Sequence, residues 1–218
     1  MSDSLTHAEQ MDRQYRFQRY VYDITRRYYL LGRLHLVREL KPPVGGSLIE
    51  IGCGTGWNMA RVLDAYPGVS VAGVDISNAM LETARTSLGR KGHLSRVKLA
   101  QGDATNFDPE ALFGRRTFDR VYISYAVSMI PVWREAVRHA ATMVAPGGTL
   151  SVVDFGQCES LPQVFKAGLF RWLAHYHVTP RPDLEAVLKA VAAENGYALT
   201  FERLSRGYAY FGQLSRPA

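Results

Sequence analysis

At 218 residues, with 47% hydrophobic and 21% charged residues, the chain has the composition of one well-buried globular domain, which excludes a disordered or fibrous protein. No apolar run reaches the ~18–20 residues of a membrane-spanning helix, and the first dozen residues are polar and lack a secretory core, so a cytoplasmic protein is expected. The net charge of +6 calls for an anionic partner, while two cysteines, Cys53 and Cys158, provide neither a disulfide framework nor metal spacing.

From about Met11 to Leu40 the pattern predicts one long helix or two linked ones. Phe17, Val21, Ile24, Tyr28 and Leu31 recur at helical steps, and beside them run Tyr22, Arg26, Tyr29 and Arg33. Seven arginines and one acid, Asp23, lie between Arg13 and Arg38, so the basic excess is concentrated here. Lys41-Pro42-Pro43-Val44-Gly45-Gly46 ends the segment. Residues 1–44 are therefore expected to form an N-terminal helical cap on a domain spanning 45–218.

Strands and helices then alternate. Ser47–Ile51, Ser70–Val74, Val97–Gln101, Phe118–Ile123 and Thr149–Asp154 read as short apolar strands. Helices are expected near Trp57–Ala65, Ser77–Leu88, Pro109–Phe113 and Val132–Val144. Such alternation predicts an α/β fold with a mostly parallel sheet covered by helices. A helical insertion follows at about 160–180, where Pro162–Tyr176 carries Phe165, Leu169, Phe170, Trp172, Leu173 and Tyr176 with Lys166 and Arg171. A helix to about Asn195 leads to strands at Ala198–Leu204 and Gly207–Leu214, whose short connector predicts an antiparallel hairpin.

The chemistry concentrates at strand ends. Glu50-Ile51-Gly52-Cys53-Gly54-Thr55-Gly56 sits where the first strand turns into a helix, the usual ligand crevice of an open α/β sheet. Glycines there permit a tight turn and direct contact between ligand and backbone. Asp75 ends the second strand, an acid placed to take ribose hydroxyls. The spacing G-x-G-x-G lacks the close that holds a pyrophosphate. Gln101-Gly102-Asp103-Ala104 ends the third strand with another carboxylate at the same edge.

Glu50–Gly56, Asp75, Gly102-Asp103-Ala104, Phe118-Asp119 and Ala145-Pro146-Gly147-Gly148 together resemble the ordered motifs of class I S-adenosylmethionine-dependent methyltransferases, over about residues 47–154. The resemblance implies a Rossmann-like fold with a seven-stranded sheet and S-adenosylmethionine as cofactor. It implies cofactor contacts from Glu50, Gly52, Cys53, Gly54, Gly56, Asp75, Ile76, Asp103, Ala104 and Ser124, with Asp75 on the ribose and Asp103 at the adenine amino group. Pro146-Gly147-Gly148 is expected to be a structural turn before the fifth strand.

Ser124-Tyr125-Ala126-Val127 lacks the Asn/Asp-Pro-Pro-aromatic sequence of base-methylating enzymes, so no nucleic-acid acceptor is expected. The stretch from Tyr22 to Arg33, with His177-Val178-Thr179-Pro180-Arg181-Pro182 and Gly207-Tyr208-Ala209-Tyr210-Phe211, is similar to the bacterial betaine-lipid N-methyltransferases. That resemblance implies methylation of the amino group of diacylglyceryl-homoserine to the trimethylated head group. Aromatic faces attract an ammonium and arginine pairs with a carboxylate, so Arg26, Tyr28, Tyr29 and Arg33 are the expected substrate contacts. Tyr22, Tyr125 and His177 are the expected catalytic or positioning groups, with Asp154 as another proton acceptor. His175-x-His177 has no further ligand beside it, and no metal is expected. The arginines and the Pro162–Tyr176 segment predict reversible attachment to an anionic membrane surface. Other readings are methylation of another amine such as phosphatidylethanolamine, a non-catalytic cofactor-binding subunit, and RNA binding through the arginines.

Overall fold

A computed structural model describes residues 29–218. Helix α1 (Arg33–Glu39) is followed by β1 (Ser47–Ile51), α2 (Trp57–Ala65), β2 (Ser70–Asp75) and α3 (Asn78–Arg90). A 3₁₀ turn at Leu94–Arg96 precedes β3 (Val97–Gln101), α4 (Pro109–Phe113), β4 (Phe118–Ser124), α5 (Trp133–Thr142) and β5 (Val144–Phe155). The chain ends with α6 (Gln163–His175), α7 (Leu184–Asn195), β6 (Ala198–Leu204) and β7 (Ala209–Ser215).

The strands form one seven-stranded sheet in the order β3-β2-β1-β4-β5-β7-β6. β7 runs antiparallel between β5 and β6, and the other pairings are parallel. All five residues of β1 are buried, as expected of a central strand covered on both faces. Leu48 faces a core shared with Leu36 of α1, Leu63 of α2 and Leu81 of α3. Ile49 and Ile51 face the opposite core, with Phe113 of α4, Val137 of α5 and Leu188 of α7. The result is a three-layer α/β/α sandwich, the expected Rossmann-like architecture with its C-terminal antiparallel hairpin.

Local chemistry sets several element ends. Ser77 caps α3 by accepting from Met80 N, and Asp108 caps α4 with Pro109 at its first position. Within the described residues, the N-terminal pattern breaks at Gly32, whose φ of 84° lies in the left-handed region, and α1 starts only after it. A Cβ at Gly32 would also meet Leu204 and Val153 at 2.9 and 3.0 Å, so the break is a close approach of this segment to the sheet. The expected turn at Pro146-Gly147-Gly148 lies inside β5 as an irregularity. Phe118 pairs with Val144 and Arg120 with Thr149, so the extra residues of β5 bulge outward. Asp119 is explained by the fold, since its Oδ2 accepts from both Ser47 N and Ser47 Oγ at 2.8 Å, tying β4 to the start of β1.

Candidate active site

The carboxyl ends of β1, β2, β3 and β4 surround a cavity of about 230 Å³. Of the expected cofactor contacts, Glu50, Gly52, Cys53, Gly54, Asp75, Ile76, Asp103, Ala104 and Ser124 line it. The glycines divide by cause. Gly52 has φ 70°, and a Cβ there would meet the Ala126 Cβ at 2.7 Å. Gly54 donates its N–H to Asp75 Oδ2 at 2.8 Å, so the carboxylate of β2 holds the loop of β1 in place. Gly56 is absent from the lining. Its φ is 74°, and a Cβ there would press on Ala84 and Leu88 at 3.2 Å, so this glycine serves the packing of α2 on α3.

Asp75 Oδ1 also accepts from Ser77 N at 2.9 Å, at the cap of α3. Asp103, at the exposed rim, accepts at Oδ1 from Thr105 N and Oγ1. Glu50 is the buried acid. Its Oε1 accepts from Asn58 Nδ2 at 2.6 Å, and Asn58 Oδ1 accepts from Arg33 Nε at 2.8 Å. Glu50 Oε2 and the Tyr122 hydroxyl are both buried and lie close together, the phenol lowering the carboxyl's pKa and the carboxyl raising the phenol's. Burial pushes the Glu50 carboxyl up to about 8, against the pull of the Asn58 amide and the Arg33 charge.

Arg33 is the expected substrate contact that the structure brings to the cavity wall. Its guanidinium lies 3.8 Å from the centre of the Trp57 ring, which with the Asn58 bond fixes its direction. Tyr29 lies beside the cavity, stacked on Phe155 and edge-on to Trp172. Tyr22, Arg26 and Tyr28 lie outside the described residues. Tyr125 lines the cavity, but its hydroxyl donates to the Leu31 carbonyl, and its φ of 54° is left-handed. Burial holds that phenol well above its ordinary pKa. His177 is exposed after α6 and lines neither this cavity nor the smaller one beside it. Asp154 is buried at the end of β5, where Oδ2 accepts from Ser128 N and Oδ1 from Phe155 N. Burial raises its pKa to about 6.

Sequence reasoning missed Asn58, Met80 and the segment Met129–Val132, all of which line the cavity. Asn58 had a signal: a polar residue on the buried face of α2 needs a partner, and Glu50 provides it.

Residues 49–150 match the model of a methyltransferase domain. Over 145 residues the chain is 30% identical to a demethylmenaquinone methyltransferase of Leptospira interrogans, covering 66% of this chain and 54% of that protein. The chain spans about half the length of the curated relatives it matches. Among solved structures, an O-methyltransferase family protein from Burkholderia thailandensis gives a TM-score of 0.74 at 18% identity, over 96% of this chain and 63% of that one. Phosphoethanolamine N-methyltransferase 2 of Haemonchus contortus, solved with phosphomonomethylethanolamine and S-adenosylhomocysteine, gives 0.73 at 16% identity, over 100% and 62%.

Strand order, glycine loop and strand-end acids give residues 49–150 the fold of the methyltransferase domain whose model they match. Its cofactor is S-adenosylmethionine, which the Haemonchus enzyme also binds. The residues present fit that group. The backbone of Gly52 and Gly54 lines the cavity, two carboxylates flank the small apolar wall of Ile76 and Ala104, and the buried Glu50 belongs to the same lining.

Proposed function

We propose that the chain is an N-methyltransferase acting on a lipid-borne amine, with the amino group of diacylglyceryl-homoserine as acceptor and the trimethylated betaine lipid as product. The observation that carries this reading is the outer face of α6. Beside the acceptor end of the cleft, this helix leaves Val164 87%, Phe165 46% and Trp172 38% exposed, and of its residues only Leu173 is fully buried. Lys166 and Arg171 lie on the same helix. An apolar face with basic residues suits the headgroup level of an anionic bilayer. No helix among the described residues is long and apolar enough to cross a membrane, so surface attachment is the mode that this reading uses. Methylation of a phosphorylated ethanolamine by a protein of the same fold supports an amine acceptor.

The cofactor supplies a methyl group on a sulfonium, an electrophile that needs no metal. The chain's own residues do the rest. Gly52, Gly54 and Asp75 form a rigid wall for the nucleoside end, and Arg33, held by Trp57 and Asn58, offers a fork to the homoserine carboxylate. Most of the acceleration in such a transfer comes from holding the amine in line at near-attack distance. The amine must shed a proton first, and Asp154, raised to about 6 and like Glu50 buried at this end of the sheet, would take it through an intervening group, since it lines neither cavity. The test is mass spectrometry of lipids from cells that express the chain together with a source of diacylglyceryl-homoserine. Mono-, di- and trimethylated homoserine lipids are expected. Methylated phosphatidylethanolamine in their place would move the acceptor to that lipid, and no new methylated lipid would end the lipid reading.

A further inference from the structure

A second cavity adjoins the cofactor cleft and shares Leu30, Tyr125 and Met129 with it. Five aromatic rings wall it: Tyr29, Tyr125, Phe155, Trp172 and Tyr176. Phe155 is central, 4.7 Å from the Tyr125 ring at 74° and stacked on Tyr29 at 6.4 Å and 11°. Trp172 meets Tyr29 edge-on at 4.8 Å and Tyr176 at 5.1 Å, closing the outer side. Ser128 also lines the space, and its buried hydroxyl lies close to the Asp154 carboxylate, whose pKa it lowers. The Asp154 carboxylate stands directly behind, accepting from Ser128 N at 2.9 Å.

The polar and aromatic part of this lining is electron-rich, and Leu30, Met129, Leu173 and Val178 complete it with apolar surface. Ring faces, a hydroxyl oxygen and a carboxylate behind it attract a cation, and no lysine or arginine lines the cavity among the described residues. An anion would be repelled, and a purely apolar guest would gain nothing from the ring quadrupoles or the carboxylate. An ammonium group with methyl substituents satisfies all three features, since methyls meet the rings and a remaining N–H donates to Ser128. In this conformation the space is only about 10 Å³, room for a single water. Trp172 is the wall able to yield, because it is partly exposed and α6 is anchored through Leu173.

We propose that this aromatic cavity is a methylammonium subsite, closed in the free protein, which widens as the Trp172 ring turns aside far enough to admit the amine head group and then packs against it, beside the cofactor cleft. The inference rests on the amine-acceptor reading and adds the residues that recognise the head group. It also assigns a function to Ser128. The hydroxyl can accept an N–H from mono- and dimethylated heads but none from the trimethylated product, so completing the third methylation weakens the hold and favours release.

The test compares choline with its uncharged carbon isostere, 3,3-dimethylbutan-1-ol, by calorimetry on the full chain saturated with S-adenosylhomocysteine. Choline is expected to bind at least about tenfold more tightly than the isostere. Trp172→Leu should weaken choline by roughly 2- to 30-fold, the range of one ring–cation contact, and Trp172→Phe should restore most of the loss. Ser128→Ala should weaken dimethylaminoethanol and leave choline unchanged. Cofactor affinity serves as the folding control, since Trp172 does not line the cofactor cleft. Equal binding of choline and isostere, unchanged choline affinity in Trp172→Leu, or no choline binding at all would overturn the subsite. Choline selectivity without methylation of diacylglyceryl-homoserine would keep the subsite and remove the lipid acceptor.

Discussion

The hydroxyl of Tyr125, at the end of β4, donates a hydrogen bond to the carbonyl oxygen of Leu31, in the segment that leads into α1. The bond crosses from the sheet to the N-terminal segment, and the residues on either side of Leu31 in that segment, Leu30 and Arg33, both line the cofactor cavity. Tyr125→Phe should therefore loosen that wall. Losing this hydrogen bond, whose carbonyl belongs to a partly exposed residue, costs about 0.5–1.5 kcal/mol. A lower urea midpoint and weaker cofactor binding by calorimetry are expected together, while unchanged cofactor affinity would separate the tether from the site.

Asp75 connects three elements, because its carboxylate accepts from Gly54 N in the glycine loop and from Ser77 N at the cap of α3. Asp75→Ala should weaken cofactor binding by about 1.5–3 kcal/mol through the loss of charge-assisted bonds. It should also lower the melting temperature without cofactor, because the loop loses its anchor. A variant that binds the cofactor as well as the parent chain would remove Asp75 from the site.

Glu50 sets a pH dependence of stability. The folded chain keeps its proton up to about pH 8, whereas the unfolded chain releases it near 4.5. Between those values the unfolded state binds fewer protons, so stability falls as pH rises. Asp154 shifts only to about 6 and drops out above that. From pH 6.5 to 7.5 the parent chain should lose up to about 1.4 kcal/mol that Glu50→Gln retains. Parallel urea stability profiles for the two proteins would contradict the shift.

Attachment to a membrane through α6 should be reversible and salt-dependent, since surface attraction is screened within about 8 Å at physiological ionic strength. Sedimentation with anionic vesicles at low salt is expected, with little binding to neutral vesicles. Phe165→Asp should reduce it without altering cofactor affinity, because Phe165 is exposed and outside the cleft. Equal binding to both kinds of vesicle would remove the electrostatic contribution.

Much of the fold was legible in the sequence because its signals are local. β1, β3, α2, α4 and β6 lie where apolar periodicity and capping residues placed them, since a buried central strand and a capped helix are written in consecutive residues. The strand-end acids and the glycine loop were legible for the same reason: β1 and β2 end side by side in any parallel sheet of this order. Tertiary structure alone decided the rest. Gly56 belongs to the packing of α2 on α3, which a one-dimensional motif cannot separate from ligand contact. Tyr125, expected as a positioning group, spends its hydroxyl on Leu31, 94 positions away in the chain. Phe155, Trp172 and Tyr29 looked like a strand end, an amphipathic helix and a helical stripe. Only the docking of Tyr29 between the end of β5 and the returning helix α6 brings them together, because ring-to-ring contact depends on distances across the fold rather than on spacing along the chain.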